Sequence, residues 1–156
     1  YNRKHIAPQE DDLALAMALV GRFASMTFNY SKLSGADMVA LTAAMRAEGR
    51  RLRTLNLESA DLGKKAIKAL AGLLSDTGVC ALESLSLNEN RDFGDAGALT
   101  LAQALRANTS LKKLFLAKCD IKVKGTAALA QALGEANTTL QDLDLSGNKK
   151  IGPKGA

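Results

Sequence analysis

Asp142 and Asp144 are two residues apart, so on an extended strand both carboxylates project from one face. Together they could hold a cation, but calcium takes about six to eight oxygen ligands, and two make a poor site. No metal site is expected from them. Cys119 lies between Lys118 and Lys122, cations that would lower its pKa toward a reactive thiolate. The competing reading is an inward-facing thiol with a structural role. The only histidine is His5, in a polar leader, so the usual general acid–base residue is missing from the rest of the chain. No serine stands in a nucleophile elbow and no glycine-rich phosphate loop is present. Gly63, Gly94, Gly97 and Gly125 fall at turn or packing positions instead. Neither an enzyme nor a cofactor is expected. What remains is recognition chemistry: Lys113, Phe115, Asp142 and Asp144 supply a cation, an aromatic ring and two carboxylates. An aromatic side chain flanked by charges is the usual anchor of a protein interface.

Whether those residues meet depends on the elements that carry them, and the chain repeats itself. Leu52-Arg-Thr-Leu55-Asn-Leu57 returns as Leu82-Glu-Ser-Leu85-Ser-Leu87, Leu111-Lys-Lys-Leu114-Phe-Leu116 and Leu140-Gln-Asp-Leu143-Asp-Leu145, with starts spaced by 30, 29 and 29 residues. A degenerate copy, Phe23-Ala-Ser-Met26-Thr-Phe28, lies 29 residues before the first. Within each copy Leu-x-Leu alternates, as a strand with one buried face does. Further on, Leu41 and Met45, Leu70 and Leu74, Leu101 and Leu105, and Leu129 and Leu133 are spaced by four, which predicts one face of a helix. Ala102, Ala104, Ala128, Ala130 and Ala132 favour helix and close helix approach. Asn108-Thr-Ser110 and Asn137-Thr-Thr139 end the helices and lead into the next strand. One such unit cannot bury its apolar stripe; stacked, the units give a parallel sheet and a helical layer. Helices are about 10 Å wide and strands about 4.8 Å apart, so the stack curves with the sheet inside.

The pattern Leu-x-x-Leu-x-Leu-x-x-Asn, with Asn90 and Asn148 at its ninth position, resembles the leucine-rich repeat. The 29-residue period, the Phe93…Gly97…Leu101 and Ile121…Gly125…Leu129 continuations, and the Asn/Cys alternation at position nine are similar to the ribonuclease-inhibitor-like subclass. The resemblance implies an α/β fold, a right-handed leucine-rich-repeat solenoid (a horseshoe segment) with its parallel sheet on the concave side and helices on the convex side. It also implies that Asn90, Cys119 and Asn148 point inward and hydrogen-bond the backbone where the strand turns away. Ser31 and Ala60 hold that position in the first two copies, whose turns are expected to be less regular. Residues 1–22 read as a leader plus the helix of a preceding partial repeat, with Asp11 or Asp12 as the cap of a helix over residues 12–21. Residues 23–156 read as repeats starting at 23, 52, 82, 111 and 140, the last one incomplete.

On this scheme the side chains at positions three, five and seven of each copy face the concave side. They include Asn56 and Glu58, then Ser86 and Asn88, then Lys113 and Phe115, then Asp142 and Asp144, which form the candidate partner-binding surface. Lys113 and Asp142 would also pair laterally, and Phe115 would lie flat on neighbouring aliphatic stems. Lysines crowd the strand-to-helix turns (Lys64, Lys65, Lys122, Lys124, Lys149, Lys150, Lys154) and would line one rim as a solvated ridge. Arg46, Arg50, Arg51 and Arg53 fall at the end of the first complete helix, where cations complement the helix dipole.

Composition sets the outer bounds. The chain has 156 residues, 47% of them hydrophobic and 24% charged, which excludes wholesale disorder. Its longest uncharged apolar run, Leu13 to Val20, is too short for a membrane helix of about 20 residues. A net charge of +5 permits weak attraction to anions, but 4% aromatics without tryptophan leave few platforms for bases, so no specific nucleic acid is expected. Two cysteines, Cys80 and Cys119, make neither a disulfide framework nor a zinc ligand set, and an intracellular, cytoplasmic location is expected. The last strand would leave Leu143 and Leu145 at an open edge, to be covered by further repeats or another subunit. The expected function is a non-catalytic protein–protein interaction scaffold, working as a subunit of a larger assembly. The resemblance also allows a regulator of a small GTPase, like the Ran GTPase-activating protein, or the sensor region of a nucleotide-binding leucine-rich-repeat receptor. Stimulated GTP hydrolysis would single out the former, and an upstream nucleotide-binding domain the latter.

Overall fold

The computed structural model describes residues 10–48, 51–79 and 81–152; Tyr1, His5, Arg50, Cys80 and Lys154 lie outside them. Helix α1 (Glu10–Leu19) leads into β1 (Ser25–Thr27), and the alternation then continues regularly. It runs through α2 (Gly35–Glu48), β2 (Thr54–Asn56), α3 (Lys64–Leu74), β3 (Ser84–Ser86), α4 (Gly94–Ala107), β4 (Lys113–Phe115), α5 (Val123–Glu135) and β5 (Asp142–Asp144). The strands form one sheet in the order β1-β2-β3-β4-β5, and every neighbouring pair is parallel.

The register puts Met26, Leu55, Leu85, Leu114 and Leu143 in a single row across the sheet. The three interior leucines of that row are wholly buried, while Met26 and Leu143, on the two edge strands, are partly covered. Each fully buried leucine contributes about 1.5–3 kcal/mol, so the row and its companions Leu52, Leu57, Leu82, Leu87, Leu111 and Leu116 form the spine of the core. The helices stack side by side in chain order over this spine. They are the convex layer of a right-handed solenoid whose concave layer is the sheet. Leu41, Met45, Leu70, Leu74, Leu101, Leu105 and Leu129 are buried as their spacing requires; Leu133 is half-buried, since no described helix follows α5 to cover it.

The expectation of less regular turns in the first two copies is corrected. In all five copies the eighth residue adopts a left-handed backbone: Tyr30 (φ 57°), Ser59 (52°), Glu89 (61°), Lys118 (55°) and Gly147 (72°). A non-glycine residue there costs about 1–2 kcal/mol. Neighbouring copies hold the conformation, because the N–H groups of Tyr30, Ser59, Glu89 and Lys118 donate to the carbonyls of Glu58, Asn88, Ala117 and Ser146, at 2.8–2.9 Å. The amide of Asn90 donates to the Leu57 and Leu87 carbonyls (2.9 and 2.8 Å), and its oxygen accepts from the N–H groups of Ala60 and Leu62 (3.1 and 3.3 Å). Ala60 therefore needs no polar side chain; the next copy supplies it. Asn148 does the same for Leu116, Leu145, Cys119 and Ile121, at 2.8–3.0 Å.

At the opposite end of the repeats a second pair of asparagines does more than stop helices. Asn108 is buried, donates to the Leu74 carbonyl at 2.7 Å and accepts from Leu111 N–H at 2.8 Å. Asn137 repeats this with the Leu105 carbonyl (2.8 Å) and Leu140 N–H (2.9 Å). The predicted cap of the first helix is also corrected: α1 begins at Glu10, so Asp11 and Asp12 lie inside it. A capping box does open α2, where Ser34 N–H donates to Asp37 Oδ2 (2.7 Å) and Asp37 N–H to Ser34 Oγ (3.2 Å).

Candidate functional site

Strand register decides which of the recognition residues meet. Ser84, Lys113 and Asp142 share one cross-strand row, and Ser86, Phe115 and Asp144 share the next. Because successive strand residues point to opposite faces, both rows lie opposite the leucine spine, on the concave side. Lys113 Nζ lies 3.5 Å from Asp142 Oδ2, and the two side chains are 54% and 56% exposed. Such a pair contributes about 0–1 kcal/mol, so it is free to exchange partners at little cost. Phe115 is half-buried rather than fully exposed, in register between Ser86 and Asp144. It still offers an apolar surface in an otherwise polar strip.

Asn56, Asn88 and Asp144 are partly occupied by the backbone, which the sequence reading missed. Asn56 Oδ1 accepts from Glu58 N–H (3.0 Å), Asn88 Oδ1 from Ala117 N–H (2.8 Å), and Asp144 Oδ1 from Ser146 N–H (2.8 Å). Glu58 accepts from the Tyr30 hydroxyl at 3.2 Å. Toward β2 and β3, Asn56, Glu58 and Asn88 are engaged within the chain, while around β4 and β5 the exposed Lys113–Asp142 pair flanks Phe115. Among the described residues, no group of three or more His, Cys, Asp or Glu side chains gathers where a metal ion could be held. No described helix is long and apolar enough to cross a membrane.

The reactive reading of Cys119 is overturned. Its thiol is wholly buried and donates to the Leu87 carbonyl at 3.1 Å, and burial raises its pKa to about 11. The two lysines expected to activate it point elsewhere: Lys118 to Glu89 (2.7 Å) and Lys122 to Asp120 (3.6 Å).

Part of the predicted basic ridge is neutralised in the same way. Asp120 sits between Lys122 and Lys150, at 3.6 Å from each. Glu89 accepts from Lys118, whose ammonium holds the carboxyl below its ordinary range while the lysine's own pKa is raised. On the other rim Glu83 lies between Lys112 (2.8 Å) and Arg53 (3.4 Å), and the Lys112 hydrogen bond lowers its pKa. Of the arginine cluster, Arg46 reaches Asp76 at 3.7 Å and Arg53 reaches Glu83; these are lateral links between repeats rather than partners of a helix dipole alone.

Asp95 was not singled out from the sequence. Its Oδ1 accepts from Lys122 N–H and Gly125 N–H, both at 2.8 Å, so a carboxylate in the first turn of α4 caps the next helix, α5. Nothing local marks it, since its partners are 27 and 30 residues away.

Comparison with known proteins agrees with this geometry. The family model described as "Leucine Rich repeat" matches residues 80–102, 107–130 and 136–156. The ribonuclease inhibitor of Sus scrofa is 31% identical over 147 residues, covering 94% of this chain and 31% of that protein. Human capping protein, Arp2/3 and myosin-I linker protein 3 is 35% identical over 144 residues, covering 88% of this chain and 10% of that protein. The chain therefore spans only a minor part of the length of these relatives. Among solved structures, Leiomodin-1 Actin-Binding Site 2 superposes with a TM-score of 0.74 at 24% identity, over 89% of this chain and 80% of that one. Repeat register, inward asparagines and these similarities converge: the chain is built of leucine-rich repeats similar to those of the ribonuclease-inhibitor-like subclass.

Proposed function

We propose that the chain is a non-catalytic protein-binding module that holds a partner on the β4–β5 part of its concave face. The observation that carries this is the placement of Phe115, in register between Ser86 and Asp144 and one row from the exposed Lys113–Asp142 pair. An apolar ring rimmed by weakly paired charges matches the arrangement of an interface anchor, in which the ring contributes affinity and the charges select the partner. The names of the relatives support the class: one inhibits a ribonuclease, the other links proteins. Ser86 and the second oxygen of Asp144 supply hydrogen bonds to the bound segment. Asn56, Glu58 and Asn88 serve as a polar rim.

The test is capture of a partner on the immobilised chain, its identification by mass spectrometry, and titration against variants. Phe115→Ala should weaken binding at least tenfold, about 1.4 kcal/mol. Lys113→Ala and Asp142→Ala should have smaller effects that grow as salt is lowered. Leu99→Ser, on the exposed face of α4, should leave binding unchanged. Undiminished binding by Phe115→Ala removes the concave face from the proposal.

A further inference from the structure

On the convex side the helices are not equally close. The α4–α5 seam is tight: Asp95 caps α5, Arg106 pairs with Glu135 at 2.6 Å, and Gly125 leaves no room for a Cβ beside Asp95 and Ala98 of α4. The α3–α4 seam is held at its C-terminal end by Asn108, but toward its N-terminal end it opens into a cleft of about 320 Å³. Lys64, Ile67, Lys68, Ala96, Gly97 and Thr100 line that cleft. A second cleft of about 320 Å³ continues it past Lys68 and Thr100 to Gly72 and Ser75. Among the described residues no ion pair crosses this seam.

The charge around the cleft is one-sided. Helix α3 carries Lys64, Lys65 and Lys68 and no acid, and none of the three lysines forms an ion pair with a described residue. Lys64 and Lys65 also stand in the first turn, where the helix dipole is already positive, and the N-cap residue Gly63 provides no side-chain hydrogen bond. The start of α5 is similarly cationic, with Lys122 and Lys124, but Asp95 and Asp120 neutralise it. Lys65 packs its stem toward α2 beside Gly35, leaving Lys64 and Lys68 over the cleft.

We propose that the α3–α4 cleft is a second docking surface, for an acidic protein segment that seats an apolar side chain over Ile67 and Gly97 and places its carboxylates on Lys64 and Lys68. Charge complementarity selects this occupant. A basic or neutral segment would add to or leave the uncompensated charge at the start of α3, whereas an acidic one supplies what Asp95 supplies at α5. The floor is small and apolar and the rim cationic, so binding needs both an apolar group and negative charge.

A fluorescein-labelled peptide of Glu and Leu at helical spacing tests this by anisotropy, beside a control peptide in which every Leu is replaced by Ser at unchanged charge. The wild-type chain should bind the Leu peptide at least tenfold more tightly than the Ser peptide. Lys64→Glu combined with Lys68→Glu should abolish that binding, and Thr100→Phe, which fills the cleft without changing charge, should weaken it at least tenfold. Lys124→Glu combined with Lys149→Glu makes the same change in net charge elsewhere and should largely preserve binding. Phe115→Ala should have no effect, which separates this surface from the concave one. No binding of the Leu peptide, equal binding of the two peptides, or equal loss in the Lys124/Lys149 variant overturns the proposal; circular dichroism and melting curves of each variant establish that it is folded.

Discussion

The α4–α5 and α3–α4 seams are built from the same repeat, yet one is closed and the other open. Both seams carry a glycine at the equivalent position, Gly97 and Gly125, but the closed seam has a carboxylate, Asp95, where α3 has Lys64, and an ion pair, Arg106–Glu135, with no counterpart between α3 and α4 among the described residues. Two polar contacts thus distinguish seams whose leucine spines are equivalent. In a linear repeat array, stability is close to a sum of such neighbour terms, so each seam is separately adjustable.

The most severe way to break the contrast is to add one methyl group to the closed seam. A Cβ on Gly125 would come within 2.6 Å of Asp95 Oδ1, 2.9 Å of Ala98 Cβ and 2.9 Å of Ile121 Cγ2. Gly125→Ala should therefore destabilise the chain by about 1–3 kcal/mol despite the better helix propensity of alanine, as read by urea denaturation. Next comes Asp95→Ala, which frees two N–H groups at the start of α5 and should cost about 0.5–2 kcal/mol. Amide hydrogen exchange should accelerate there and remain unchanged in α3. The same chemical change as the first has the opposite sign where nothing crowds it: within 4 Å a Cβ on Gly72 of α3 would meet only Arg46 Nη2 of α2, at 3.5 Å. Gly72→Ala should stabilise by about 0.4–1 kcal/mol. If both glycine variants shift stability in the same direction, steric crowding at Gly125 is not what closes the α4–α5 seam.

The smallest effect concerns acid. The carboxyls of Glu83, Glu89 and Glu135 all lie below their ordinary 4.5 in the folded chain, through hydrogen bonds from Lys112, from Lys118, and from Gln131 and Arg106 respectively. A folded pKa below the unfolded one means that the unfolded chain binds more protons, so stability rises with pH and is lost as acid is added. The contribution is complete above the unfolded value of 4.5 and is lost as pH drops through the folded values. Melting temperature should be level from neutral pH down to that point and decline below it. Glu135→Gln, in the closed seam, should reduce the decline slightly; Lys64→Gln, in the open one, should not change it.

Much of the fold was legible because its signal is local and repeated. Leu55, Leu85, Leu114 and Leu143 announce a strand by alternation, and their common spacing announces the row they form. The concave residues followed from the same alternation. The ring of Phe115 is nevertheless half-buried, and Asn56 and Asn88 are turned to backbone N–H groups, because those contacts involve the width of the strip and the adjoining turn. Cys119 shows the limit of adjacency: the lysines beside it in sequence are held by acids, Lys118 by Glu89 of the neighbouring turn and Lys122 by Asp120 of its own, while the thiol turns inward to the Leu87 carbonyl.

The amino-acid order alone determined the unit, its strand register and which side chains turn inward, since these depend on periodicities of two and about 3.6 residues within one copy. Only the tertiary stack decided which charges are neutralised, which seam is closed and which is open. Those properties arise between side chains some thirty residues apart, and a repeat template written one copy at a time contains no term for them.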